Sequence, residues 1–198
     1  MEETRPGQYF EISEDKGAFI LNSRDMCMIE HLPELLEAGI DSFKIEGRMK
    51  SAYYTAVVTN AYRHALDAAL RGERPERVWI EETEKLSHRP YSTGFYFGQP
   101  GEHDEESSYV SRYDIAAVVE SCDAEGNAVL TQRNKFSRGD VLELLTKDAY
   151  PISFTARELF DGEGNAIDSA RCAVMTVRMK LPCRAEPLSI VRKARQEQ

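Results

Sequence analysis

Apolar and polar positions change their period near residue 109, and the change divides the chain. Before it, Met28, Leu32, Leu35 and Leu36 recur at three- and four-residue spacings. That predicts a helix capped by Ser23 or Asp25, running to about Ala38 and ended by Gly39. Pro33 belongs at the first turn of its main part, after an irregular turn. Phe43 and Ile45 alternate with polar neighbours, which predicts a strand over 41–46. Ser51 then caps a long helix over 51–71, with Tyr54, Val57, Val58, Ala61, Ala65, Leu66 and Ala69 on its apolar face and Gly72 at its end. Residues 76–88 read as a further helix. Upstream, YFEIS and AFILN flank the turn SEDKG and predict a hairpin, which needs something to pack on. Helix, strand and helix on short loops form the local pattern of a parallel α/β unit. One strand and two helices cannot close a sheet, so the beginning reads as cut from a larger chain.

RPYSTGFYFGQPGEHDEESS follows, rich in Gly, Pro, Ser and acids. It predicts a linker that drapes on a surface through its aromatics. From Tyr109 the period becomes that of strands. DIAAVVESC, NAVLTQR, FSRGDVLELL, YPISFTARELF, CAVMTVRMK and EPLSIVRK are separated by turns such as DAEG and DGEGN. Short strands at that spacing predict a small antiparallel barrel or sandwich.

Charge supports the division. The 198 residues carry a net charge of −9, all of it in the first 108; the rest is balanced. The overall field repels phosphate. The last stretch runs the other way: from Arg171 on, Arg171, Arg178, Lys180, Arg184, Arg192, Lys193 and Arg195 face only Glu186 and Glu197. Arg178, Lys180, Arg184, Arg192 and Lys193 are therefore RNA-binding candidates; a solvated strand face explains them equally well. No apolar run is long enough for a membrane span, and MEETRPGQYF is not a signal sequence. The expected location is cytoplasmic. Cys27, Cys122, Cys172 and Cys183 show no CxxC spacing, which predicts four free thiols, with the last three as packing or edge residues.

The candidate chemistry starts at IEGRMKS. Glu46 and Arg48 stand at a strand end, where α/β folds place ligands, and Arg can grip a carboxylate or phosphate while Glu acts as base. A surface ion-pair cluster at a helix start fits the spacing slightly better. Cys27 fits a buried small residue or, at a helix start, a thiolate ligand. One cysteine cannot hold an iron–sulfur cluster. The four histidines show no paired-ligand spacing, and no GxSxG elbow or phosphate loop occurs.

Asn22 to Asp67, with IEGRMKS inside it, resembles the peptidase U32 family, also called collagenase-like proteases. FSRGDVLEL, FTARELFDGEGNAID and RMKLPCRAEPLSIVRK are similar to that family's C-terminal β-barrel domain. The resemblance implies an α+β chain: the truncated end of a TIM-barrel-like α/β catalytic domain over 1–88, a linker over 89–108 and a small antiparallel β-barrel over 109–198. The family was named for proteolysis. Several members are instead associated with oxygen-independent hydroxylation of tRNA uridine, ribosomal RNA cytidine or a quinone precursor. Those bind a [4Fe–4S] cluster through four cysteines, and Cys27 in SRDMC matches the fourth. The other three are expected upstream of Met1, so the cluster belongs to the full-length protein and none is expected in this chain alone. Prephenate is implied as hydroxyl source or co-substrate of the tRNA members, and Arg48 suits a carboxylate. Three functions follow: the end of an RNA-hydroxylating U32 protein, inactive by itself; a U32 protease in which Glu46 assists peptide hydrolysis; or a non-catalytic β-barrel that binds RNA or protein. The exposed helix faces of 1–88 are expected to dimerise or to pack on the β-unit.

Overall fold

The computed structural model describes residues 23–99 and 112–195; the expected hairpin of 9–22 and His103 lie outside them. The helix expected from Ser23 or Asp25 starts later. Residues Asp25–Met26 form a short strand, β1, and a 3-10 turn at Ile29–His31 leads into α1 (Leu32–Glu37). Asp25 cannot cap a helix because its carboxylate accepts from the Arg89 backbone N–H and side chain and pairs with Lys50. Pro33 opens α1 as its fixed φ requires. Gly39, at φ +82°, ends it, and the Gly39 and Ile40 N–H groups close onto Leu36 and Leu35.

The strand expected over 41–46 does not form. A strand needs a ladder, and none of the described segments pairs with this one. Phe43 still packs half-buried against the helices, while Ile45 is exposed. Next comes α2 (Ala52–Leu70), capped by Ser51, whose hydroxyl accepts from the Tyr54 N–H at 3.2 Å. α3 (Arg77–Glu84) is shorter than the sequence suggests. The carbonyls a longer helix would use are taken elsewhere: Ser87 O accepts from Lys50, and Glu84 O lies 3.3 Å from His88 Nε2. Then β2 (Tyr91–Ser92) pairs in parallel with β1. Of the four aromatics expected to drape, Tyr91 does, stacking on His88, while Phe95, Tyr96 and Phe97 remain exposed, with Phe97 against the His31 ring.

The second half is antiparallel. β3 (Tyr113–Cys122), β4 (Asn127–Gln132), β6 (Val141–Leu145), β7 (Ile152–Thr155), β8 (Leu159–Asp161), β9 (Ala166–Ile167), β11 (Thr176–Lys180) and β12 (Ile190–Ala194) make one curled sheet. Its order is β7-β6-β12-β3-β4-β11-β8-β9, a half-barrel whose two ends do not pair; β5 (Phe136–Ser137) and β10 (Ser169–Ala170) form a separate pair. Alternation is clean on β11, where Val177 and Met179 turn inward and Thr176, Arg178 and Lys180 outward. The enclosed core includes Leu130, Phe136, Leu142, Leu144 and Val191, all fully buried. Each such side chain contributes about 1.5–3 kcal/mol by leaving water.

The helical part packs on the sheet instead of standing free. Val57 and Val58 of α2 and Leu86 meet Leu145 and Ile190 on the outer face of β6 and β12. The loop after β6 also grips α2: Asn60 donates to Thr146 O, and His64 Nε2 lies 2.8 Å from Lys147 O. Of the two expectations for the exposed helix faces, packing on the β-unit is what the fold displays. No described helix is long and apolar enough to cross a membrane.

Candidate functional site

Cys27 leaves β1 with its N–H donated to Ser92 O at 2.9 Å. The cross-strand bond fixes where the half-buried thiol sits, between α2 and α3. Its sulfur is 3.6 Å from the Tyr62 hydroxyl and 4.0 Å from Thr83 Oγ1. The Met28 N–H donates to the Tyr62 oxygen at 3.0 Å, which leaves the phenol hydrogen free to point at the sulfur. Thr83 Oγ1 donates to Ile80 O, so toward sulfur it can only accept. A thiol can thus donate a hydrogen bond to Thr83, and a thiolate can accept one from Tyr62. Burial, with the nearby Cys27, pushes the Tyr62 phenol far above its ordinary value and keeps it a neutral donor. Tyr91 is pushed up for the same reasons, and its hydroxyl donates to Thr83 O at 2.8 Å. The Tyr91 ring stacks on His88, 4.0 Å between centroids.

The IEGR turn lies beside this site. Lys50, at its end, reaches Asp25 Oδ2 at 3.6 Å, two residues before the cysteine. Tyr54 lies between: burial raises its phenol, and Asp25, Cys27 and Glu46 add to the shift. The turn runs close under α2, since a Cβ on Gly47 would stand 3.3 Å from Thr55 Oγ1. Glu46 accepts from the Arg48 N–H at 2.8 Å and faces Lys44. Glu46 and Arg48 are both exposed. The structure therefore brings the turn to the Cys27 neighbourhood and leaves Glu46 and Arg48 on its open side.

The described residues fit only part of a cluster site. No group of three or more His, Cys, Asp or Glu among them could hold a metal, and Cys122, Cys172 and Cys183 all belong to the β-unit. One thiol is present where four are needed. All four cysteines are free. Cys172 and Cys183 are exposed and are not packing residues; Cys122 alone rests against the sheet core. Among the described histidines, His64 Nε2 and both ring nitrogens of His88 face backbone carbonyls, and His31 Nδ1 lies 3.8 Å from Glu34.

One RNA-binding candidate requires correction. Arg192 is 0% exposed and lies between the carboxylates of Glu82 and Glu143. Its strand is covered on its outer face by the helices, so a residue that reads as surface lies inside. Lys193 pairs with Asp140 at 2.7 Å and stays half-buried. Arg178, Lys180 and Arg184 are exposed. Tyr62, Thr83 and Tyr91 were not legible as site residues, because helical periodicity and a linker-like composition account for them without any partner.

The family model of peptidase family U32 matches residues 1–106, and that of the peptidase family U32 C-terminal domain matches 111–192. The chain is 33% identical over 189 residues to tRNA hydroxylation protein P1 of Bacillus subtilis strain 168, covering 92% of the chain and 45% of that protein. Against tRNA hydroxylation protein P of Escherichia coli strain K12 it is 35% identical over 188 residues, 91% of the chain and 41% of the relative. A collagenase of Porphyromonas gingivalis is 30% identical over 87 residues, 42% of the chain and 21% of that protein. The chain thus spans less than half the length of these relatives. With one U32 model over more than half of it and a second over its β-unit, the chain belongs to peptidase family U32.

Proposed function

We propose that this chain is part of a protein that hydroxylates tRNA, at a uridine, with ribosomal RNA as the alternative substrate. The observation that carries the reading is identity of 33% and 35% to two tRNA hydroxylation proteins over nine-tenths of the chain, through both units. Residues 1–88 would be the end of a TIM-barrel-like domain, with Cys27 as one of four thiolates of a [4Fe–4S] cluster whose other ligands would come from outside this chain. Such a cluster supplies electron transfer. This chain's own residues hold the sulfur: the β1–β2 bond fixes it, Tyr62 donates toward it, and packing of α2 and α3 keeps water from its inner side. Arg48, exposed on the open side of the turn, suits the carboxylate of a co-substrate such as prephenate. Arg178, Lys180, Arg184 and Lys193 are the candidate phosphate contacts. Peptide hydrolysis rests on the family name and the shorter collagenase match, and no nucleophile–base pair among the described residues favours it.

The test is nucleoside mass spectrometry of tRNA from cells with and without the gene. Loss of a hydroxylated uridine supports the reading. An unchanged tRNA spectrum with a missing hydroxylated nucleoside in ribosomal RNA moves the substrate, and two unchanged spectra remove RNA hydroxylation.

A further inference from the structure

The two family units meet across a quartet of charges, two of them buried and two half-buried. On the helical side stand Glu82, 1% exposed, and Lys85. On the sheet side stand Glu143 of β6 and Arg192 of β12. Arg192 reaches Glu82 through both terminal nitrogens, at 2.6 and 2.7 Å, and Glu143 Oε2 at 2.7 Å. Lys85 closes the ring on Glu82 at 2.8 Å and on Glu143 at 3.2 Å. Tyr113 caps it: its hydroxyl donates to Glu143, and its ring lies 4.9 Å from the guanidinium carbon. The quartet is neutral, and its guanidinium has a planar fork that a lysine could not reproduce.

What lies on the other side of α3 gives the quartet a further meaning. Glu82 and Thr83 are neighbours about 100° apart around the helix. Glu82 turns to the sheet; Thr83 turns to Cys27 and, through its carbonyl, to Tyr91. α3 is therefore held between the β-unit and the β1–β2 pair, and Thr83 is 2% exposed between them. We propose that Arg192 is a positioning residue: by clamping Glu82 it sets the depth of α3 and so keeps Thr83 and Tyr91 closed against the Cys27 thiol. The β-unit then serves the cysteine site directly, besides any contact it makes with RNA. The proposal rests on Cys27 being the functional thiol, but its test does not depend on activity.

The test uses the chain with Cys122, Cys172 and Cys183 replaced by serine, so that Cys27 alone reacts with a thiol reagent. Labelling is timed at constant pH, well below the melting temperature. Arg192→Met should raise the Cys27 labelling rate at least tenfold, and Arg192→Lys, which keeps the charge but loses the fork, several-fold. If Arg192→Met does not fold, Arg192→Lys decides. Leu159→Ala weakens the sheet core on β8, four strands away from β12, and should leave the rate within twofold of the parent despite a lower melting temperature. Unchanged labelling in the folded Arg192 variants overturns the proposal. An equal rise in Leu159→Ala also overturns it, because the effect would then be general loosening. Loss of tRNA modification with unchanged labelling would leave the RNA reading standing and remove the clamp.

Discussion

Single residues carry the main difference between pattern and structure. Arg192 reads as one more cation in a basic tail, because β12 alternates as a strand should. Its outward face is in fact a second interior: Ile190 beside it packs on α2, while Val191 faces the sheet core. No property of residues 190–194 alone announces that cover; it depends on α3, more than a hundred residues away in sequence. Glu143 has a measurable signature of the same environment. Burial alone would raise its carboxyl, but Arg192 and Lys85 outweigh burial and hold it below the ordinary 4.5. A depressed folded value means stability that is fully present above the unfolded value and lost as pH falls through the folded one. Glu143→Gln should therefore cost about 1.5–3 kcal/mol at pH 7, the worth of hydrogen bonds to a charged group. In urea titrations the gap between wild type and variant should narrow steadily below pH 4.5; a gap independent of pH would contradict the ion-pair account.

Among the elements, those whose stability is local were legible. α2 shows its apolar stripe, its serine cap and its terminal glycine, and all three are where the pattern places them. In the β-unit the six strand segments and their turns were legible in outline, but FSRGDVLELL and YPISFTARELF each break into two strands, and β9 and β10, two residues each, were too short to show a period. Segment 41–46 was not, because alternation reports a preference for extended backbone and says nothing about whether a neighbour exists to complete the ladder. β1 and β2 were missed in the opposite sense: two residues each are too short for any period, and only their mutual pairing makes them strands. The turn DAEG offers a direct check on the part that was legible. Gly126 sits at φ +88°, and a Cβ there would stand 2.8 Å from the Leu181 carbonyl oxygen. Both the conformation and the contact exclude a side chain, so Gly126→Ala should destabilise by more than about 1 kcal/mol. Thermal unfolding should show a clear drop in melting temperature; an unchanged value would mean that the hairpin is not anchored to Leu181.

At the scale of the molecule, the division at residue 109 is real in pattern but not in packing. Charge and period separate an acidic helical part from a balanced sheet, whereas Val57, Val58, Leu86, Leu145 and Ile190 share one core. The described parts should therefore unfold together. The chain's single tryptophan, Trp79, is buried in the helical part and stacked on His64, while far-ultraviolet circular dichroism also reports the sheet. The two urea curves should coincide, and separated midpoints would show the units to be independent. The candidate site was legible only at Cys27 and the IEGR turn, because its remaining members, Tyr62, Thr83 and Tyr91, gain meaning from distances that no spacing encodes.

The most direct measurement of the central proposal is nucleoside mass spectrometry of tRNA from cells lacking their own tRNA hydroxylation protein. Those cells would be supplied with the whole gene that encodes this chain. The account predicts that the hydroxylated uridine returns with the wild-type gene and does not return with Cys27→Ser. Restoration by Cys27→Ser would remove the cysteine from the mechanism. No restoration by the wild-type gene, with the protein present in the cells, would contradict the assignment to tRNA hydroxylation.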